Sequence, residues 1–291
     1  MKADLHIHTK YSGISKFWKL KFPDSVEEPK NILKVAKKKR IDIVAITDHN
    51  TIRGGLETKK IAKDYGVEVI VGSEIMSKDG EIIGLFLNEE IPKGLSAEET
   101  IERIKEQGGL AIAPHPYSPI CKGLGDKIFS LDLDGVEVFN AYHRDGIINN
   151  IALSKVIKNY HKKRYAFIGG SDAHIAMMVG NAYTLFEGNS ADDLYKAIKK
   201  KETTFSGNLT PLYQAILWSY KVVLKSEKMI ISSLFFNGND YIKSIKLYKK
   251  LLAMFGGFLY IFTPLPIFSG FLGNYYLKRL AKKKMKNYLL E

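Results

Sequence analysis

The chain has 291 residues, a length that suits one α/β barrel of ordinary size or one domain with an appendage. A single cysteine, Cys121, excludes a disulfide framework and a thiolate zinc knuckle. The net charge of +13 invites a nucleic-acid reading, but residues 211–291 hold 13 Lys/Arg against 3 Asp/Glu, which leaves only +3 for residues 1–210.

Met1-Lys2-Ala3 runs straight into an apolar strand bearing His6 and His8, so no signal peptide is expected and a reducing cytoplasm is the expected setting. Side chains alternate along a strand, which puts His6 and His8 on one face. After the loop Lys10-Tyr11-Ser12-Gly13, the apolar spacing predicts a helix over Glu28–Lys39. Ile41–Ile46 reads as a buried strand ending at Thr47-Asp48-His49-Asn50, and Thr51 as the cap of a helix reaching Tyr65. The strand Val67–Val71 delivers Gly72-Ser73-Glu74, and Glu81–Leu87 forms another. Ser96 with Glu99 is a capping box opening a helix to Gln107. The strand Leu110–Ala113 ends at Pro114-His115-Pro116, and Gly135–Phe139 is followed by Asn140-Ala141-Tyr142-His143. A helix over Ile147–Tyr160 precedes the strand Ala166–Ile168, which delivers Ser171-Asp172-Ala173-His174. Ser190 with Asp193 starts a last helix, and Thr203–Phe205 reads as a short final strand.

Strands alternating with helices predict a parallel sheet or barrel. His49, Glu74, His115, His143, Asp172 and His174 all fall just after apolar strands, and in such barrels the strand C-termini form the active face. With His6 and His8, one fold brings eight nitrogen and oxygen donors to one mouth. That set suits Mn²⁺, Fe²⁺ or Zn²⁺.

The stretches Asp4 to His8, Thr47-Asp48-His49, Gly72-Ser73-Glu74, His115-Pro116, Glu137 to His143 and Gly170 to His174 resemble, in order, the motifs of the PHP family, named for its polymerase and histidinol-phosphatase members. The resemblance covers residues 1 to about 207 and implies a distorted seven-stranded (β/α) barrel holding two or three divalent metals, with phosphoester hydrolysis as its best-known activity. It implies a first metal on His6, His8, Glu74 and Asp172, and a second on His49 and His174. A third would sit on His115 and His143 with Glu74 bridging, Glu81 being an alternative to His143. Asp48 is expected to orient its neighbour rather than to bind metal. Family members often carry Asp or His five or six residues after the second histidine of the first motif. Gly13 and Ile14 stand there, so either water, substrate phosphate or a more distant carboxylate fills the gap, or the second site is less occupied and the activity reduced.

Cations about 3.5–4 Å apart can share a hydroxide near neutral pH, which attacks phosphorus in line while the cations hold the developing charge. Asp172 and His174 are therefore expected at the catalytic centre, joined by Arg53, whose place in the first turn of a helix suits a phosphate. Arg144 is a weaker candidate for the same role. There is no GxSxG motif, and Cys121 has no activating partner visible in the sequence.

The expected division is a barrel over residues 1–209 and an α-helical, apolar and basic tail over 210–291. Leu212–Leu224 and Met229–Phe236 read as helical. No residue from Leu251 to Leu277 is charged, but Thr263-Pro264-Leu265-Pro266 breaks the run and lysines flank both ends. A shallow or re-entrant hairpin docking residues 249–286 on an anionic membrane is expected, the alternative being packing on the barrel or a second subunit. The expected function is hydrolysis of a small phosphate monoester, a nucleotide or a short oligonucleotide end, on the cytoplasmic face of the membrane. A nuclease on longer RNA or DNA, a phosphoprotein phosphatase, and a metal-bound but inactive membrane scaffold are the rivals.

Overall fold

The computed structural model describes residues 1–17, 20–235, 242 and 244–289; Phe236, the expected end of a tail helix, lies outside them. The chain opens with β1 (Lys2–Ile7), a hairpin of β2 (Ile14–Phe17) and β3 (Leu20–Pro23), α1 (Pro29–Lys39), β4 (Ile43–Ile46) and α2 (Arg53–Ile61). Next come β5 (Glu68–Met76), β6 (Glu81–Leu85), α3 (Ala97–Glu106), β7 (Leu110–Ala113), β8 (Gly135–Asn140), α4 (Ile147–Lys158) and β9 (Ala166–Gly170). After these, β10 (Ala182–Leu185), α5 (Ala191–Lys200) and β11 (Thr204–Gly207) lead to the tail helices α6 (Leu212–Phe235), α7 (Leu247–Phe262) and α8 (Leu265–Leu289).

The main sheet runs β11-β10-β1-β4-β5-β6-β7-β8-β9. Every residue of β4, β6 and β7 is buried, as expected where both faces of a sheet are covered. The segment after β9 closes the sheet towards β1. His8 N–H donates to Ala173 O, and Ser171 N–H donates to Asp4 Oδ1 at 3.0 Å. Gly180 N–H donates to Asp4 Oδ2, so this one buried carboxylate ties β1 to the loop that carries Asp172 and His174.

Seven strands from β1 to β9 make a nearly closed barrel-like α/β sheet, and β10 and β11 extend it to nine. The sheet is mixed rather than parallel. β6 is antiparallel to β5 and β7, because a short turn joins β5 to β6 where a crossover helix is absent. β10 is antiparallel to β1 and β11. Thr51 sits one residue before the N-cap of α2, where its hydroxyl accepts from Arg53 N–H. α3 carries the Ser96–Glu99 capping box, and Ser190 caps α5 through Asp193 N–H.

The tail packs on the barrel at both ends. Trp218 Nε1 of α6 donates to Asp24 O at 3.0 Å, and Lys221 Nζ meets Glu27 Oε2 at 2.9 Å. Near the end of α8, Ala281 is fully buried, with Met285 packed on the barrel core. α7 and α8 meet at the Thr263-Pro264 break with an 88° bend.

Candidate metal centre

The strand ends bring the eight expected donors together. His6 Nε2 lies 3.1 Å from His8 Nε2, 3.2 Å from Glu74 Oε2 and 3.5 Å from Asp172 Oδ1. His8 Nε2 lies 3.4 and 3.3 Å from the same two carboxylate oxygens. Ligands about 2.0–2.2 Å from a tetrahedral cation are separated by roughly 3.3–3.6 Å, so the two imidazole nitrogens with either carboxylate oxygen stand close to the spacing one ion requires. His115 Nε2 lies 3.1 Å from the other oxygen of the same carboxylate, Glu74 Oε1. Glu74 thus faces two positions, and His49 Nδ1 lies 3.4 Å from its Oε2. Glu74 occurs inside β5 rather than just after it, because that strand runs on to Met76 to pair with β6.

The second position has a carboxylate that spacing rules miss. Asp24 Oδ2 lies 3.5 Å from His174 Nε2 and 3.7 Å from His8 Nδ1, and Asp24 Oδ1 lies 3.8 Å from His49 Nε2. The β2–β3 hairpin folds the chain back so that Asp24, at its end, stands where Gly13 and Ile14 have nothing to offer. The one signal in the sequence was scarcity: Asp24, Glu27 and Glu28 are the only acids between His8 and Asp42. Asp24 Oδ2 is buried without a hydrogen-bond partner, as are His49 Nδ1, His115 Nδ1, His143 Nε2 and Glu81 Oε2. Five unpaired buried polar atoms on residues in or beside the cluster fit divalent cations, since an unpaired buried polar atom is costly.

Supporting residues orient these groups. Glu137 Oε1 lies 3.2 Å from His6 Nδ1, fixing the ring so that Nε2 faces the cluster. Its Oε2 accepts from His115 N–H and Asn140 Nδ2, and Asn140 Nδ2 also reaches Asp172 Oδ2. Ser12 Oγ lies 3.0 Å from His8 Nδ1 and accepts from His49 N–H. A Cβ on Gly170 would lie 2.4 Å from Glu137 Oε1 and 2.7 Å from His6 Cβ, so glycine is required there. Asp48 accepts from Thr9 N–H and Thr9 Oγ1, so it holds the loop after His8 rather than its neighbour His49. His115 and Asp172 have φ of 23° and 51°, the left-handed backbone that non-glycine residues adopt mainly where surrounding structure imposes it.

The electrostatics match. Burial works against the charge of His115 and His174. Their carboxylate neighbours, chiefly Glu74 and Asp24 respectively, outweigh it and push both up to about 9. Burial also works against ionised Asp24, but the imidazoles of His174, His49 and His8 hold it well below the usual carboxylate range. His143 goes the other way: burial, then the charge of His115, lowers it to about 3 and keeps it neutral. Burial, then Glu74, pushes Glu81 up to about 7.

The two arginines stand at the rim. Arg53 is exposed and lies over the Tyr11 ring at 4.9 Å. Arg144 lies over Tyr142 at 5.3 Å, with Nε and Nη1 buried and unpartnered. Trp218 stands edge-on to His174, with ring centroids 5.2 Å apart. Cys121 has come back beside the cluster: its sulfur and one ring nitrogen each of His115 and His143 lie within 4.8 Å of one another.

A family model described as PHP-associated matches residues 150–203. An uncharacterized protein of Methanocaldococcus jannaschii is 82% identical over 165 residues, 57% of this chain and 96% of that protein. A second uncharacterized protein of the same organism is 76% identical over 110 residues, 38% of this chain and 98% of that protein. Among solved structures, PsfC from Pseudomonas syringae superposes with a TM-score of 0.50 at 18% identity, covering 76% of this chain and 96% of that one, a likeness of fold. With the PHP-associated match and the motifs gathered at one barrel mouth, the chain belongs to the PHP family.

Proposed function

We propose that the chain is a metal-dependent phosphoesterase acting on a small phosphate monoester, a nucleotide or the end of a short oligonucleotide. The observation that carries this reading is the set of abutting donor clusters around Glu74, with Asp24 supplying the carboxylate that the first motif lacks. His6, His8, Glu74 and Asp172 would hold one cation; His49, His174 and Asp24 a second; Glu74, His115 and His143 a third. Bound there, divalent cations such as Mn²⁺, Zn²⁺ or Fe²⁺ activate water and neutralise charge on phosphoryl oxygens.

The protein's own groups do the rest. The unpartnered Nε and Nη1 of Arg144 and the exposed guanidinium of Arg53 would receive phosphate oxygens. Glu137 and Ser12 keep the His6 and His8 rings turned for binding. Elemental analysis of the purified chain, followed by turnover assays on mononucleotides, sugar phosphates and short oligonucleotides with added Mn²⁺, tests the reading. Asp172→Ala and His8→Ala are each expected to lose more than about 100-fold, beyond the cost of removing an orienting partner. Undiminished turnover in either variant rules the mechanism out.

We further propose that the bend between α7 and α8 docks on an anionic membrane surface at the cytoplasmic face. No single helix among the described residues is long and apolar enough to cross a membrane, which favours shallow docking over a simple span. Phe255, Phe258, Phe262, Phe268 and Phe271 are all exposed, and Lys278, Arg279, Lys282, Lys283 and Lys286 lie exposed beyond them. Not every residue expected at that surface faces it. Lys250 is buried, Lys284 Nζ donates to Ser118 O on the barrel, and Tyr260 OH donates to Ser219 Oγ of α6.

A further inference from the structure

We propose that Cys121 Sγ is a donor to the cation position formed by Glu74, His115 and His143, giving the centre one sulfur-bearing site beside two built from nitrogen and oxygen. The inference rests on the metal-binding reading above and concerns the composition of one site.

The loop after β7 is built to return Cys121 to that position. Ser118 N–H donates to His115 O, and Ser118 Oγ accepts from both Ile120 N–H and Cys121 N–H, at 3.2 and 2.9 Å. This double turn lays the cysteine back over the histidine that starts it. The sulfur then shares a 4.8 Å neighbourhood with one nitrogen each of His115 and His143.

The surroundings are those of a ligand rather than of a core side chain. A structural cysteine packs as a small hydrophobe among apolar groups. Cys121 stands instead beside two imidazoles. His143 is 2% exposed, and its Nε2 has no hydrogen-bond partner. Glu81, 8% exposed, has an unpartnered Oε2. Two imidazole nitrogens and one sulfur make a three-donor group, the number of protein ligands an open zinc site takes, and Glu74 Oε1 stands beside it at 3.1 Å from His115 Nε2. Thiolate is softer than imidazole or carboxylate, so this position would hold Zn²⁺ or Fe²⁺ in preference to Mn²⁺, while the other two stay permissive.

X-ray absorption at the zinc edge on the full-length, zinc-loaded chain tests this. A sulfur scatterer at about 2.3 Å is expected. Cys121 is the single cysteine of the chain, so a thiolate at that distance has one source. Cys121→Ser should abolish the sulfur scattering and lower the zinc retained after dialysis by about one ion per chain, the number held by one such site. Should that variant fail to fold, the wild-type spectrum decides alone. A chain that holds its zinc with only nitrogen and oxygen scatterers overturns the sulfur ligand and leaves the phosphoesterase reading standing. A chain that binds no divalent ion overturns both.

Discussion

At the scale of single residues, Asp24 carries the sharpest consequence. If it completes the second cation position, Asp24→Ala should lose one bound ion by elemental analysis and most of the turnover. Asp24→His should restore part of both, since imidazole is an alternative donor for the same ions. Glu137→Gln separates orientation from ligation. It keeps the shape but removes the charge beside His6 Nδ1, so metal affinity should fall about 10–100-fold with the fold intact, read by competition with a chelating dye. Protonation supplies another test. In the metal-free chain His115 and His174 keep their protons up to about pH 9. A ligating nitrogen must be free, so metal loading at pH 7 should release protons, measured by calorimetry in buffers of different ionisation enthalpy. Loading without proton release at pH 7 would rule out these two rings as ligands.

At the scale of elements, the tail is joined to the centre rather than merely attached to the barrel. α6 grips the backbone of Asp24 through Trp218 and the nearby Glu27 through Lys221. Trp218→Phe keeps an aromatic edge against His174 but loses the hydrogen bond. It should loosen the Asp24 segment and lower affinity for the second cation by about 10-fold, the low end of the cost of an orienting partner. Apparent metal affinity is the readout, and an unchanged value would reduce Trp218 to packing. The α7–α8 bend makes a separate claim. Replacing Phe258 and Phe268 together by Glu should abolish flotation with anionic vesicles while turnover on soluble substrate stays at the wild-type level. Flotation that survives the double replacement would move the contact elsewhere.

At the scale of the whole molecule, the buried carboxyls and imidazoles set how stability answers to pH. Burial pushes Asp4 up to about 6 and Asp48 up to about 7. Each therefore favours the fold when protonated, a contribution complete below about pH 4 and lost as pH rises through 6 to 7. His115 and His174 favour the fold below about 6.5 and lose that contribution as pH rises through about 9. The lowered carboxyl of Asp24 acts oppositely, its contribution disappearing only in strong acid. The metal-free chain should therefore melt at a lower temperature at pH 9 than at pH 6. Metal binding needs unprotonated ligands, so the rise in melting temperature on adding Zn²⁺ should be larger at pH 8 than at pH 6. Scanning calorimetry with and without chelator checks both.

The sequence by itself determined the alternation of strands and helices, the capped starts of α3 and α5, and the order of the histidine and carboxylate motifs. Strand alternation, apolar runs and capping pairs are local, so neighbouring residues record them. The same locality explains what it left open. That β6 runs antiparallel depends on a turn too short for a crossover. That Asp24 stands beside His174 depends on a hairpin folding back across the barrel mouth. Trp218 holds Asp24 from 194 positions away, and Cys121 meets His143 only once β7 and β8 lie side by side. Those meetings follow from packing the whole chain around one buried sheet, and no periodicity in the sequence encodes them.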